Sequence, residues 1–301
     1  MKPPLSALID ASHMRALQLA RVAIHEALSG RDHALPTLAE RRTLAAPGPA
    51  GPLECRLYRP AGVAGDAPLL LFFHGGGFLV SDLDTHEALC IRLADAGRVR
   101  VLSAQYRLAP EHRFPAQLDD ALAVARWALG EGASALQPAR GLALGGDSAG
   151  GYLAAAAAGR MQQERPCAIA AQLLLYPLLQ LDDAAWADSM FNETRAVGWA
   201  AIRYINAQLI GAGEPPPSLL SLSRLAPVPS VIAVGGALDP CRADAVALAE
   251  LLRADGREVI WRDYPGLIHA FGNLTAVSEA ARRAVAEVGE VMGGLMSRGA
   301  E

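Results

Sequence analysis

The chain has 301 residues, 52% hydrophobic and 19% charged, which supplies a substantial core and argues against wholesale disorder. A formal net charge of −4 without a Lys/Arg cluster excludes the basic footprint of a nucleic-acid binder and the patch that anionic membranes attract. No run approaches the roughly 18 apolar residues that span a bilayer, and Cys55, Cys90, Cys167 and Cys241 are too scattered for a disulfide framework or a zinc site, so a soluble, cytoplasmic protein without stable membrane anchoring is expected.

Residues 1–28 read as an amphipathic helix rather than a signal peptide, and the region up to residue 45 is expected to be helical. LECRLYR (53–59) alternates apolar and polar residues as a half-buried strand does, and APLLLFF (67–73) is the continuous apolar run of a strand buried on both faces. DTHEALCIRLADAG (84–97) opens with Asp84 and Glu87 at capping-box spacing and closes on Gly97, which predicts a helix. VRVLSA (99–104) is the next strand, and FPAQLDDALAVARWAL (114–129) a helix with its proline near the first turn. Strand GLALG then leads through a Gly-rich turn into an alanine-rich helix, followed by strand IAAQLLLY (169–176). SVIAVGG (230–236) and EVIWRDY (258–264) read as strands flanking helix 242–256, and 278–296 closes as a helix. Such alternation argues for an α/β protein with a mostly parallel sheet covered on both faces. Residues 181–226 are much longer than an ordinary crossover, as a lid or cap insertion would be.

Two Gly-rich turns carry the chemistry. Gly146-Asp147-Ser148-Ala149-Gly150 matches G-x-S-x-G, the nucleophile elbow of α/β-hydrolases, between a strand and a helix. Small neighbours let the chain turn sharply and present Ser148, and the helix N-terminus lies near a developing oxyanion. A phosphate loop is disfavoured: no Lys-Ser/Thr pair follows, and the spacing is not GxGxxG. LLLFFHGGGF (69–78) ends a buried strand in His74, Gly75, Gly76 and Gly77, whose N–H groups suit an oxyanion hole. A serine nucleophile needs a base and an orienter, in the chain order Ser, acid, His. His269 is the one histidine beyond Ser148; His13, His25 and His33 read as surface residues, and His74, His86 and His112 precede the serine. Asp239, ending VIAVGGALDP, is the preferred acid with Asp244 second; Asp255, Asp263 and the insertion's Asp182, Asp183 and Asp188 are placed less suitably.

With HGGGF, YRLAPEHRFPA (106–116), GDSAGG, the ALDP turn and YPGLIHAF in this order, the sequence resembles the hormone-sensitive-lipase-like (family IV) carboxylesterases over about residues 53–290. The resemblance implies an α/β-hydrolase fold with a catalytic core over 46–180 and 227–301, and a helical cap formed by 1–45 and 181–226. It implies that Ser148 is the nucleophile, His269 the general acid/base and Asp239 its orienter. The oxyanion hole would be formed by Ala149 N–H with the HGGG glycines Gly75, Gly76 and Gly77, chiefly the last two. His74 would support that turn, and Tyr106, Arg107 and Glu111 would shape the fold beneath the site. The chain departs from the family pattern at Tyr152 (commonly Asn), at Ala270 (commonly Gly) and in DPCRAD, where a DPLRDE-like run is common. The expected activity is hydrolysis of short-acyl, small-molecule esters through an acyl-enzyme, with no metal or organic cofactor. An arylformamidase or amide hydrolase with the same triad is the alternative. A binding-only relative of the gibberellin receptors is disfavoured because His269 is present. A homodimer is the assembly considered.

Overall fold

The computed structural model describes residues 11–32, 34–136, 141–181, 203–211 and 213–298. Its strands are β1 (Leu38–Gly48), β2 (Gly51–Pro60), β3 (Leu69–Phe73), β4 (Arg100–Ala104), β5 (Leu142–Asp147), β6 (Ile169–Leu175), β7 (Ser230–Gly235) and β8 (Val259–Tyr264). They form one eight-stranded sheet in the order β1-β2-β4-β3-β5-β6-β7-β8. β2 runs antiparallel to both neighbours, and every pairing from β4 to β8 is parallel. The helices are α1 (Ala11–Leu28), α2 (Glu87–Gly97), α3 (Ala116–Leu129), the short α4 (Ala133–Leu136), α5 (Ala149–Glu164), α6 (Arg242–Ala254) and α7 (Glu279–Arg298), and 203–209 is also helical.

The uninterrupted apolar runs follow from burial on both faces of the sheet. Leu69, Leu71 and Phe73 of β3 point into a core shared with α3, α5 and α6. Leu70 and Phe72, on the opposite face, pack with α2 and α7. β5 and β7 divide in the same way, which places their C-terminal ends between two helical layers.

Two local expectations are corrected. The region up to residue 45 is not helical throughout: Leu38–Gly48 is the edge strand β1, paired antiparallel with β2, and most of its side chains are exposed or only partly buried. The capping box at 84–87 does not form. His86 is the N-cap of α2 and makes no side-chain cap hydrogen bond. Asp84 and Glu87 instead accept hydrogen bonds from Arg56 (2.6 Å) and Arg41 (2.5 Å), while Asp82 Oδ1 takes the N–H groups of Asp84 and Thr85. Of the expected 181–226 insertion, residues 182–202 and 212, and with them Asp182, Asp183, Asp188, Trp186, Phe191 and Trp199, lie outside the described residues, as do His33 and the His13 side chain.

Candidate active site

Ser148 sits where β5 gives way to α5, with φ 52° and ψ −116°, outside the regions open to an unstrained L-residue. Its backbone is held on both sides: its N–H donates to Leu175 O (2.9 Å), and its carbonyl accepts from Tyr152 N (3.2 Å) and Leu178 N (3.0 Å). The flanking glycines permit this turn. A Cβ on Gly150 would lie 1.9 Å from Phe73 O, and one on Gly146 would lie 2.2 Å from Gly150 O.

His269 lies in the loop after β8, tied to the end of β7 by the Gly236 N–H to Leu267 O bond (2.7 Å). Its Nε2 is 3.0 Å from Ser148 Oγ and its Nδ1 is 2.8 Å from Asp239 Oδ1. Asp239, buried in the turn after β7, accepts from Cys241 N–H at 2.9 Å and from Gly235 N–H at 3.4 Å. Its rivals are engaged elsewhere: Asp244 with Gln180, Asp255 with Arg257, and Asp263 with Arg242. The structure therefore brings Ser148, His269 and Asp239, 121 and 30 residues apart in sequence, into one hydrogen-bonded chain at the C-terminal edge of the sheet.

The HGGG turn follows β3 at the same edge. Gly76 (φ 108°) and Gly77 (φ 61°) line the cavity that Ser148 and His269 face, and among the described residues their N–H groups make no hydrogen bond. Gly75 is a correction to the expected oxyanion set. Its N–H is taken by Asp147 Oδ1 at 2.7 Å, so the donor is spent on a buried carboxylate. Burial pushes the Asp147 pKa up, but the adjacent His86, the Gly75 N–H and His74 more than offset this and hold it below the ordinary carboxylate value. His86 Nε2 lies 3.1 Å from Asp147 Oδ1 and 3.1 Å from Asn273 Nδ2.

His74 is fully buried and stacks on Tyr106 with ring centroids 4.3 Å apart. Its Nδ1 donates to Gly75 O (2.7 Å), and Tyr106 Oη donates to His74 O (2.8 Å). Burial, then the neighbouring His86, lower its pKa from 6.5 to about 4, which leaves a neutral brace for the turn. Arg107 grips the buried Asp120 with both side chain and N–H. Glu111 accepts two bonds from Arg21 of α1, whose guanidinium also reaches Leu79 O (2.7 Å) and Ala109 O (2.8 Å). Arg21 thus docks α1 against the segment that follows the HGGG turn and against the 109–111 loop.

That docking roofs the site. A cavity of about 370 Å³ is lined by Ile24 and Leu28 of α1, Gly76, Gly77, Ser148, Leu178, Ile205, Cys241 and His269. A second, of about 320 Å³, shares Gly76, Gly77, Val80 and Ile205 with it and extends along Ala16, Leu17 and Tyr204. The Ile205 side chain lines both and packs over Gly77, where an added Cβ would meet its Cδ1 at 2.8 Å. Of the expected departures, Tyr152 donates to Pro217 O (2.9 Å) and packs against Phe78 and Phe114, and Ala270 occupies the left-handed region at φ 61°. Among the described residues, two side-chain groups have metal-ligand spacing: Asp239 with Cys241 and His269, and His25 with Asp82 and Asp84. No helix among the described residues is long and apolar enough to cross a membrane.

The sequence motifs led to Ser148, His269, Asp239 and the Gly-rich turn. They missed Asp147, His86 and Asn273, which brace that turn from beneath. Asp147 is the variable position of G-x-S-x-G, and nothing local marks a residue whose partner lies 72 positions earlier. Ile24 and Leu28, on one face of α1, and Ile205, far along the chain, were unmarked because nothing in the sequence ties those two apolar segments to one cavity.

A mostly parallel sheet with a serine, an acid and a histidine at the C-terminal ends of β5, β7 and β8, in that chain order, is the architecture of α/β-hydrolases. The comparisons agree. A family described as the alpha/beta hydrolase fold matches residues 70–273. The chain is 39% identical over 244 residues to the carboxylic ester hydrolase LipN of Mycobacterium tuberculosis, covering 77% of this chain and 64% of that protein's length. It is 35% identical over 300 residues to the esterase LipI of the same organism, covering 95% and 89% respectively. The solved structure of a Pyrobaculum calidifontis esterase superposes with a TM-score of 0.81 at 28% identity, covering 95% of this chain and 94% of that one. The chain belongs to the α/β-hydrolase family, in its hormone-sensitive-lipase-like branch of carboxylesterases.

Proposed function

We propose that the protein is a carboxylic ester hydrolase that cleaves small, short-acyl esters through an acyl-enzyme on Ser148. The observation that carries this reading is the pair of hydrogen bonds linking Ser148 Oγ, the His269 imidazole and the Asp239 carboxylate at 3.0 and 2.8 Å. Ser148 Oγ attacks the ester carbonyl carbon while His269 Nε2 takes the hydroxyl proton. Asp239 fixes the tautomer by accepting the Nδ1 proton and faces the imidazolium as it forms. The negative oxygen of the tetrahedral species is received by Ala149 N–H at the start of α5, with Gly76 and Gly77 N–H from the turn opposite. Return of the proton from His269 to the alkoxide releases the alcohol. Water, deprotonated by the same nitrogen, then attacks the acyl carbon, and collapse frees the acid and Ser148.

The modest, largely apolar cavity supports a small acyl group: Ile24, Leu28 and Ile205 line it beside Ser148 and His269. A carboxylate chain length series on the purified protein tests this, with turnover highest on acetate to butyrate p-nitrophenyl esters. Ser148→Ala should abolish that turnover; a Ser148→Ala protein as active as the wild type would overturn the assignment.

A further inference from the structure

We propose that Asp239, Cys241 and His269 form a binding site for a soft divalent cation of the Zn²⁺ class, whose occupancy reversibly blocks the esterase. The block, though not the binding, rests on the triad reading above. One ligand atom from each of the three side chains lies within 4.8 Å of the others. Zinc holds sulfur at about 2.3 Å and nitrogen or oxygen at about 2.0–2.2 Å. Tetrahedral ligands at those distances sit about 3.3–3.6 Å apart. The Asp239 and His269 ligand atoms, 2.8 Å apart, therefore need to open by about half an ångström and the Cys241 sulfur to approach by at most about 1 Å, within reach of side-chain rotation.

The donor set selects the ion. A thiolate with an imidazole and a carboxylate suits zinc and its soft neighbours and disfavours magnesium or calcium, which take oxygen. Three protein ligands leave a fourth position, which here opens on the catalytic cavity that Cys241 and His269 line, so the ion has an entry path and room for a water. The carboxylate is already oriented by the Cys241 and Gly235 N–H groups. No group of this kind forms around Cys55, Cys90 or Cys167 among the described residues.

Binding exchanges one proton: the Cys241 S–H bond breaks, the proton leaves to solvent, and sulfur bonds the ion. The imidazole proton passes by way of solvent from Nδ1 to Nε2, Nδ1 gives its lone pair to the metal, and the carboxylate that had accepted the Nδ1 proton becomes a ligand. Ser148 loses its base and the base loses its orienter, while the serine itself is untouched.

Cobalt(II) is the probe, because a thiolate ligand gives it a near-ultraviolet charge-transfer band that a purely nitrogen and oxygen site lacks. Titrating the full chain should raise this band to saturation. Cys241→Leu and Cys241→Ala should each lose it, and Cys167→Ser should keep it. In parallel, Zn²⁺ should inhibit p-nitrophenyl butyrate hydrolysis, EDTA should restore it, and the Cys241 variants should need about tenfold more zinc, or above, for the same inhibition. Absence of the thiolate band in wild type, or its survival in both Cys241 variants, overturns the site. Variants inhibited at the wild-type zinc concentration overturn the block. A wild-type protein that shows the band but turns over no ester leaves the metal site standing and defeats the esterase reading instead.

Discussion

The Ser148 backbone stores strain that can be measured without reference to catalysis. At φ 52° and ψ −116° the conflict is between Cβ and the backbone, so removing Cβ relieves it. Ser148→Ala and Ser148→Gly both lack the hydroxyl and its bond to His269; they differ only in Cβ. Conformations of this kind cost about 1–3 kcal/mol. Against that, glycine loosens the unfolded chain by about 0.4–1 kcal/mol. The net expectation is a Ser148→Gly protein more stable than Ser148→Ala by about 0.5–2 kcal/mol. With an unfolding entropy of about 2.1 cal/mol/K per residue, a chain of 301 residues converts this to a Tm higher by about 1–3 °C. Calorimetry or denaturant melts of the two inactive variants read it directly. Equal stability, or a less stable glycine variant, would refute the claim that the elbow is strained.

Three further outcomes follow from the geometry. Burial holds His74 neutral, with its pKa lowered from 6.5 to about 4, so between these values the unfolded chain binds the extra proton and stability falls as pH drops through that window. The slope contributed is at most about 1.4 kcal/mol per pH unit, and denaturant midpoints from pH 7 to 4 should flatten by that share in His74→Gln. Asp147, whose pKa is held below 3.8, adds its own loss only at lower pH. Ile205 lines both cavities, so Ile205→Ala should enlarge the acyl space, and kcat/KM for a hexanoate ester relative to butyrate should rise about tenfold if two more methylenes are buried at ~0.8 kcal/mol each; an unchanged ratio would contradict that role for Ile205. Arg21→Ala cuts the bonds from α1 to Leu79, Ala109 and Glu111. It should cost about 1–2 kcal/mol of stability and raise KM more than it lowers kcat, as a loosened roof requires.

Much of this was legible because the relevant signals are local or follow chain order. Strands buried on both faces, such as β3 and β5, write themselves as apolar runs. Ser148, Asp239 and His269 each sit in a loop at a strand's end, so order along the chain identifies them. β1 was missed because it is an edge strand: Glu40, Arg41 and Arg42 break the alternation that would announce it. The capping box at Asp84 and Glu87 was misread because Arg56 and Arg41, from neighbouring strands, claim both carboxylates. Gly75 was grouped with its sister glycines because spacing cannot reveal that Asp147 binds its N–H. Ala270 carries the left-handed φ that its loop imposes, a reason for glycine to be common there in the family.

The most direct test of the central claim is to trap the nucleophile. Wild-type protein treated with a fluorophosphonate, digested and mapped by mass spectrometry should carry one adduct, on Ser148. Labelling should disappear in Ser148→Ala and slow sharply in His269→Ala. A protein that hydrolyses esters yet carries its adduct on another residue, or none at all, would contradict the account.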